Sequence, residues 1–177
     1  PWTATIMFVV PRKTNAAVSV IRPPKPTSKT SLVEEAVRPE STLAGDSGSP
    51  VLIVAGPGNN GGDGLVVARH LKQWWYKVSV VCIGNPQQYS GDAAAALQAW
   101  RKAGGEFISD IPSAQNWALV IDGLFGIGLK RDLDGDYAAL VEQVNALEAP
   151  VLALDIPSGL DADSGRGQRQ RGQQRHE

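Results

Sequence analysis

From about residue 49 to residue 165, short apolar runs alternate with longer stretches of helical spacing. The run VLIVA, residues 51–55, has no polar position on either face, the pattern of a strand covered on both sides. Leu65, Val66, Ala68 and Leu71 then recur at helical spacing, predicting a helix over 65–74, and residues 78–83 give a second strand. The alternation continues with an alanine-rich helix over 92–103 stopped by Gly104-Gly105, a short strand over 106–109, and another over 118–121 that ends at Asp122. A helix over 137–147 and a strand VLALD over 151–155 complete it. Alternating strands and helices predict a mainly parallel sheet with helices on both faces. The expected fold is α/β, a Rossmann-like three-layer sandwich.

The two ends break this pattern. Residues 1–48 are rich in proline, including Pro23, Pro24 and Pro26, and show no sustained periodicity, so they read as a poorly ordered segment with one short helix over 31–37. Residues 166–177, RGQRQRGQQRHE, contain four arginines and four glutamines and no aliphatic side chain that could bury a face, which predicts a disordered tail. The expected division is therefore 1–48, a Rossmann-like domain over 49–165 that is incomplete, and 166–177. A sheet short of neighbouring strands would leave an open edge.

Composition narrows the chemistry. With 177 residues, 42% hydrophobic and 20% charged, the chain is long enough for one domain with a substantial core. A net charge of −1 gives no basic field for nucleic acid or an anionic membrane. The apolar run at residues 6–10 is far too short to span a bilayer, and the expected location is the cytoplasm. Cys82 is the single cysteine and reads as a packing residue; with His70 and His176 it cannot furnish a structural zinc site.

Candidate chemistry concentrates where strands end. Gly56, Gly58 and Gly61 satisfy G-x-G-x-x-G, but no acid follows about 20 residues on to hold a ribose, and no Gly-Lys-Ser/Thr makes a Walker loop. Two asparagines and an aspartate among five glycines are nonetheless more polarity than a plain turn needs, and they predict an anion-binding turn ahead of a helix. In an open parallel sheet, ligands sit beyond the carboxyl ends of the strands, which gathers residues 56–64, 122–130 and 155–160. Asp122 and Asp155 each end an aliphatic run, where capping is the commonest role, yet the glycine-rich apolar stretch after Asp122 favours a site.

The segments GPGNNGGDG (56–64), IDGLFGIGL (121–129) and LDIPSGLDADSG (154–165), in that order and spacing, closely resemble the NAD(P)H-hydrate epimerase family. The resemblance implies a Rossmann-like isomerase that interconverts the R and S epimers of NADH or NADPH hydrated at C6 of the nicotinamide. A dehydratase would then restore the cofactor. Carried across residue by residue, it makes Asn59, Asn60, Gly61, Gly62 and Asp63 the first substrate-binding turn. Gly126, Ile127, Gly128, Leu129, Lys130, Arg131 and Asp132 form the second, and Asp155 also contacts the hydrated nucleotide. Asn60, Asp122 and Ser158 would hold a potassium ion (K+), which suits amide and hydroxyl oxygens with a single carboxylate. Asp122 would then stay ionised, leaving Asp155 as the catalytic acid and base.

The chain departs from the family at Ile127, where threonine is common, and at both ends, where a preceding helix and further strands are expected. Partners implied are hydrated NADH or NADPH, a functionally coupled dehydratase and a second copy in a homodimer, with no membrane and no nucleic acid. Two other readings stay open: a non-catalytic nucleotide- or RNA-binding module of the same fold, and an inactive truncated product.

Overall fold

A computed structural model describes residues 46–127 and 133–160, together with the backbone of residues 7–10 and 19–21. The elements are β1 (Met7–Val10), β2 (Ser19–Ile21), β3 (Pro50–Ala55), α1 (Asn59–Gln73), β4 (Lys77–Cys82), α2 (Gly91–Lys102), β5 (Leu119–Gly123), α3 (Gly135–Ala146) and β6 (Val151–Ala153). They build a six-stranded sheet in the order β2-β1-β6-β5-β3-β4. The run β6-β5-β3-β4 is parallel throughout, as the alternation of strands and helices requires.

Side-chain alternation along β3 decides which layer each helix joins. Val51, Ile53 and Ala55 face one way and pack with Leu65, Val67, Ala68 and Leu71 of α1 and with Ala96, Leu97 and Trp100 of α2. Leu52 and Val54 face the other way and meet Leu140 and Val144 of α3. A strand apolar at every position thus has a core on each side, and the three layers follow. Because β4 and β5 flank β3 on opposite sides, the chain reverses its direction of travel across the sheet at β3, and a crevice opens there above the strand ends.

Four expectations change. The helix expected from residue 65 begins at Asn59, six residues earlier, so the glycine-rich hexapeptide is helical. Residues 106–109 contribute one bridge, Val81 to Ile108, in place of a strand, because only Ile108 comes within pairing distance of β4. The N-terminal segment, expected to carry no strand, supplies β1 and β2. β1 pairs antiparallel with β6, matching Phe8 to Ala153 and Val10 to Val151, so β6 is not an open edge. A strand of three or four residues is recruited by the backbone groups of its neighbour and leaves little periodic signal of its own. The expected helix over 31–37 and the tail over 166–177 lie outside the described residues. Among the described residues no helix is long and apolar enough to cross a membrane.

Two helices end with the same backbone arrangement and different residues. At α2 the amide of Gly104 bonds the Arg101 carbonyl and that of Gly105 the Trp100 carbonyl, with Gly104 at φ +70°. At α1 the amide of Trp75 bonds Lys72 and that of Tyr76 bonds Leu71, with Trp75 at φ +67°. Both are Schellman ends, and their left-handed residue is usually glycine because a Cβ crowds the backbone there. Trp75 bears that strain while 82% exposed, so its ring returns little burial. Trp75→Gly is therefore expected to stabilise the fold by about 1 kcal/mol, and Gly104→Ala to destabilise it by about the same, as read by urea denaturation. A loss of stability in Trp75→Gly would show that the indole holds more than the fold reveals.

Candidate functional site

The site is assembled where β3, β5 and β6 end. After Ala55 the turn Gly56-Pro57-Gly58 leads into α1, and two contacts bring it close to its surroundings. The Gly56 amide bonds the Gly123 carbonyl at 3.1 Å, extending the pairing of β3 with β5, and a Cβ on Gly56 would overlap the Leu124 carbonyl. A Cβ on Gly61 would overlap the Gly56 carbonyl, and one on Gly62 would lie 2.7 Å from the Cα of Ala93 in α2. These glycines let α1 start hard against the strand end and its neighbouring helix. The conformation expected over Asn59–Asp63 is thereby corrected: the turn itself is Gly56–Gly58, and Asn59 to Asp63 are helical, at the start of α1. The Ncap of that helix is Gly58, which has no side chain to cap the leading amides.

Asp122 lies at the centre. It is the one buried charged side chain among the described residues. Its Oδ1 accepts from the Ser158 hydroxyl at 2.7 Å and the Leu124 amide at 3.1 Å, and its Oδ2 accepts from the Ser158 amide at 2.7 Å. The Ser158 hydroxyl accepts in turn from the Phe125 amide at 3.1 Å, and the Phe125 carbonyl accepts from the Asn60 side-chain amide at 2.9 Å. Asn60, Asp122 and Ser158, predicted to act together, are thus joined through one backbone residue. Burial pushes the Asp122 carboxyl above its ordinary range, and the bonds from Ser158 and Leu124 oppose that rise without cancelling it. The protein alone therefore does not hold this group in its charged form as firmly as the sequence suggested.

Asp155 sits on the rim. Its Oδ2 accepts from the Ile127 amide at 2.9 Å, and the bare Cα of Gly126 admits it, since a Cβ there would overlap the same oxygen. Its Oδ1 accepts no hydrogen bond among the described residues, and the side chain is half-buried. One of its oxygens thus anchors the loop after β5. Ile127 is 69% exposed and is fixed by its backbone, so the apolar side chain faces outward at the mouth. Gly128, Leu129, Lys130, Arg131 and Asp132, the rest of the predicted second loop, lie outside the described residues.

Sequence reasoning missed three contributors. The amides of Leu124 and Phe125 and the carbonyl of Phe125 tie the cluster together, yet a backbone group leaves no residue-type signal. Tyr89 was also missed: its hydroxyl donates to the Gly56 carbonyl and lies 3.4 Å from the Cys82 sulfur. A buried aromatic in a polar loop ahead of α2 was the available clue.

Comparison with known proteins identifies the family. The family described as YjeF-related protein N-terminus matches residues 25–171. An NAD(P)H-hydrate epimerase of Bordetella pertussis is 55% identical over 120 residues, covering 68% of this chain and 52% of the relative. One from Achromobacter xylosoxidans is 52% identical over 118 residues, covering 67% and 57%. A bifunctional NAD(P)H-hydrate repair enzyme of Corynebacterium glutamicum is 42% identical over 115 residues, covering 65% of this chain and 19% of the relative. The chain thus spans about half the length of the epimerases it matches. Among solved structures, that of yeast ynu0 superposes with a TM-score of 0.61 at 25% identity, over 77% of this chain and 60% of that one. With the same α/β architecture, and a family model that runs from ahead of β3 to beyond β6, this chain belongs to the YjeF-related protein N-terminus family.

Proposed function

We propose that this chain is an isomerase that epimerises hydrated NADH and NADPH at C6 of the nicotinamide ring. The observation that carries the reading is the convergence of Asn60, Asp122, Ser158 and Asp155 from three separate strand ends onto one crevice. Relatives more than 50% identical that bear the epimerase name support it. The uncapped start of α1 suits the anionic part of a nucleotide.

Inversion at C6 needs the carbon–oxygen bond, or the ring, to open and re-form. The hydroxyl departs more readily when it receives a proton, and the opposite face accepts water when that proton is taken back. In this reading Asp155 gives and retrieves the proton, through the oxygen that the Ile127 amide leaves free. Asp122 is not, because both its oxygens are committed to Ser158 and Leu124.

The donor set fits a potassium ion. Asn60, Asp122 and Ser158 bring amide, carboxylate and hydroxyl oxygens with one formal charge, too little for a divalent ion and compatible with a monovalent one. When bound, such an ion supplies positive charge beneath an anionic substrate, and it would favour the ionised form of Asp122 that burial resists. Functional coupling to a dehydratase follows from the chemistry, since only one epimer of a hydrated cofactor fits a stereospecific second enzyme; a relative named as bifunctional supports it. A role on cellular nucleotides and a single half-buried thiol fit a cytoplasmic location.

Asp155→Asn keeps an acceptor for the Ile127 amide and loses the exchangeable proton. Epimer exchange, followed by resolving the two hydrated forms over time, is expected to slow by about 10²–10⁴-fold, with substrate binding within a few-fold of wild type. A variant as fast as wild type would remove Asp155 from the chemistry. For the cation, potassium is expected to raise the melting temperature of the wild type against an organic-cation control, through linkage to binding. Asp122→Ala is expected to melt lower and to lose that increment. An undiminished increment in the variant would place the ion elsewhere.

A further inference from the structure

The link between β4 and α2 is built to direct one side chain inward. Asn85 accepts from the Gln87 amide at 2.9 Å, and the short 3₁₀ turn Pro86–Gln88 delivers Tyr89 to a position 7% exposed, packed in the core on the α1 and α2 face. The Tyr89 hydroxyl donates to the Gly56 carbonyl, 33 residues away in the chain, and the Cys82 sulfur lies on its other side at 3.4 Å. Sheet pairing ends one residue before that carbonyl: Ala55 accepts from the Ile83 amide, and Gly56 uses only its own amide, toward Gly123. The Gly56 carbonyl instead turns toward the start of α1, where only the missing side chain of Gly61 leaves it room. A buried carbonyl so placed needs a donor, and no backbone amide among the described residues is bonded to it.

We propose that Tyr89 is a positioning residue of the nucleotide site: its hydroxyl sets the Gly56 carbonyl, and with it the turn that presents Asn59, Asn60 and the leading amides of α1. The proposal rests on the epimerase reading of the same crevice. Packing needs only the ring, since phenylalanine would fill the same volume; the hydroxyl has the carbonyl as its purpose. Burial raises the Tyr89 ionisation far above its ordinary range, so the group remains a neutral donor at any physiological pH. Tyr89 immediately precedes Ser90, the Ncap of α2, and α2 contacts α1 through Ala93 and Gly62. The same residue therefore ties the turn to the helix that braces it.

Tyr89→Phe in the full chain tests this by two readouts. Amide hydrogen exchange over residues 58–62 is expected to accelerate by about 10-fold while the amides of β5 and the second half of α2 keep their protection, because an unsatisfied buried acceptor loosens the turn locally. With hydrated NADH, the apparent KM is expected to rise by about 10-fold with kcat within two-fold, the signature of lost positioning rather than lost chemistry. Cys82→Ala, which leaves the bond to Gly56 in place, is expected to change both by less than about three-fold, since a thiol is only a weak hydrogen-bonding partner. Unchanged exchange over 58–62, or exchange that rises equally throughout the domain, overturns the proposal. So does a fall in kcat at constant KM. Binding of hydrated NADH by the wild type is measured separately: its failure would fault the epimerase reading, while the exchange pattern still decides whether Tyr89 holds the turn.

Discussion

The site depends on one buried carboxylate. Asp122, next to last in β5, binds Ser158 through both the serine hydroxyl and the serine amide, while the Leu124 amide closes on the same group. Hydrogen bonds to a charged acceptor contribute roughly 1.5–3 kcal/mol each, and withdrawing a carboxylate from water costs several kcal/mol. Here the desolvation prevails, since the carboxyl is pushed up despite three donors. The carboxylate is thus a poor source of net stability. Its value is geometric: it forces the loop after β6 against the loop after β5, and without that closure Asp155 would have no fixed relation to Ile127.

A second constraint is the absence of side chains. α1 can begin beside the end of β3 only because Gly56 and Gly61 carry no Cβ, and it can lie against α2 only because Gly62 carries none. Glycine is a poor helix former, so three glycines in the first six residues of α1 weaken the helix locally. Packing against β3, β4 and α2 compensates, with Leu65, Val67, Ala68 and Leu71 wholly or nearly buried. The helix start is held by its surroundings, since its Ncap, Gly58, has no side chain with which to cap it.

These two constraints act on the same point. Asn60 stands in the first turn of α1 and reaches the Phe125 carbonyl, while the Phe125 amide reaches Ser158. Close approach of the helix and closure of the loops therefore meet at one backbone residue. Strain is kept away from this centre: the one described non-glycine residue with positive φ, Trp75, lies at the opposite end of α1.

Much of this was legible in the chain. A strand apolar at every position, as in VLIVA, can only be covered on both faces, so the layered α/β architecture followed from composition along the run. The placing of Asp122, Asp155 and Ser158 beyond the strand ends was legible because polar groups at the ends of aliphatic runs fall together in a parallel sheet. The helical start at Asn59 was not, because local propensity argues against glycine in a helix and only contacts with Gly56 and Ala93 overrule it. β1 and β2 were not, because β1 is held by the backbone of β6, at the far end of the chain, and β2 pairs only with β1. The sequence by itself determined which polar residues stand at which strand ends. Only the tertiary structure decided that Asp122 is a buried tie and that Asp155 is half-buried and holds the Ile127 amide, since that difference comes from solvent exclusion and from backbone amides that no residue type announces.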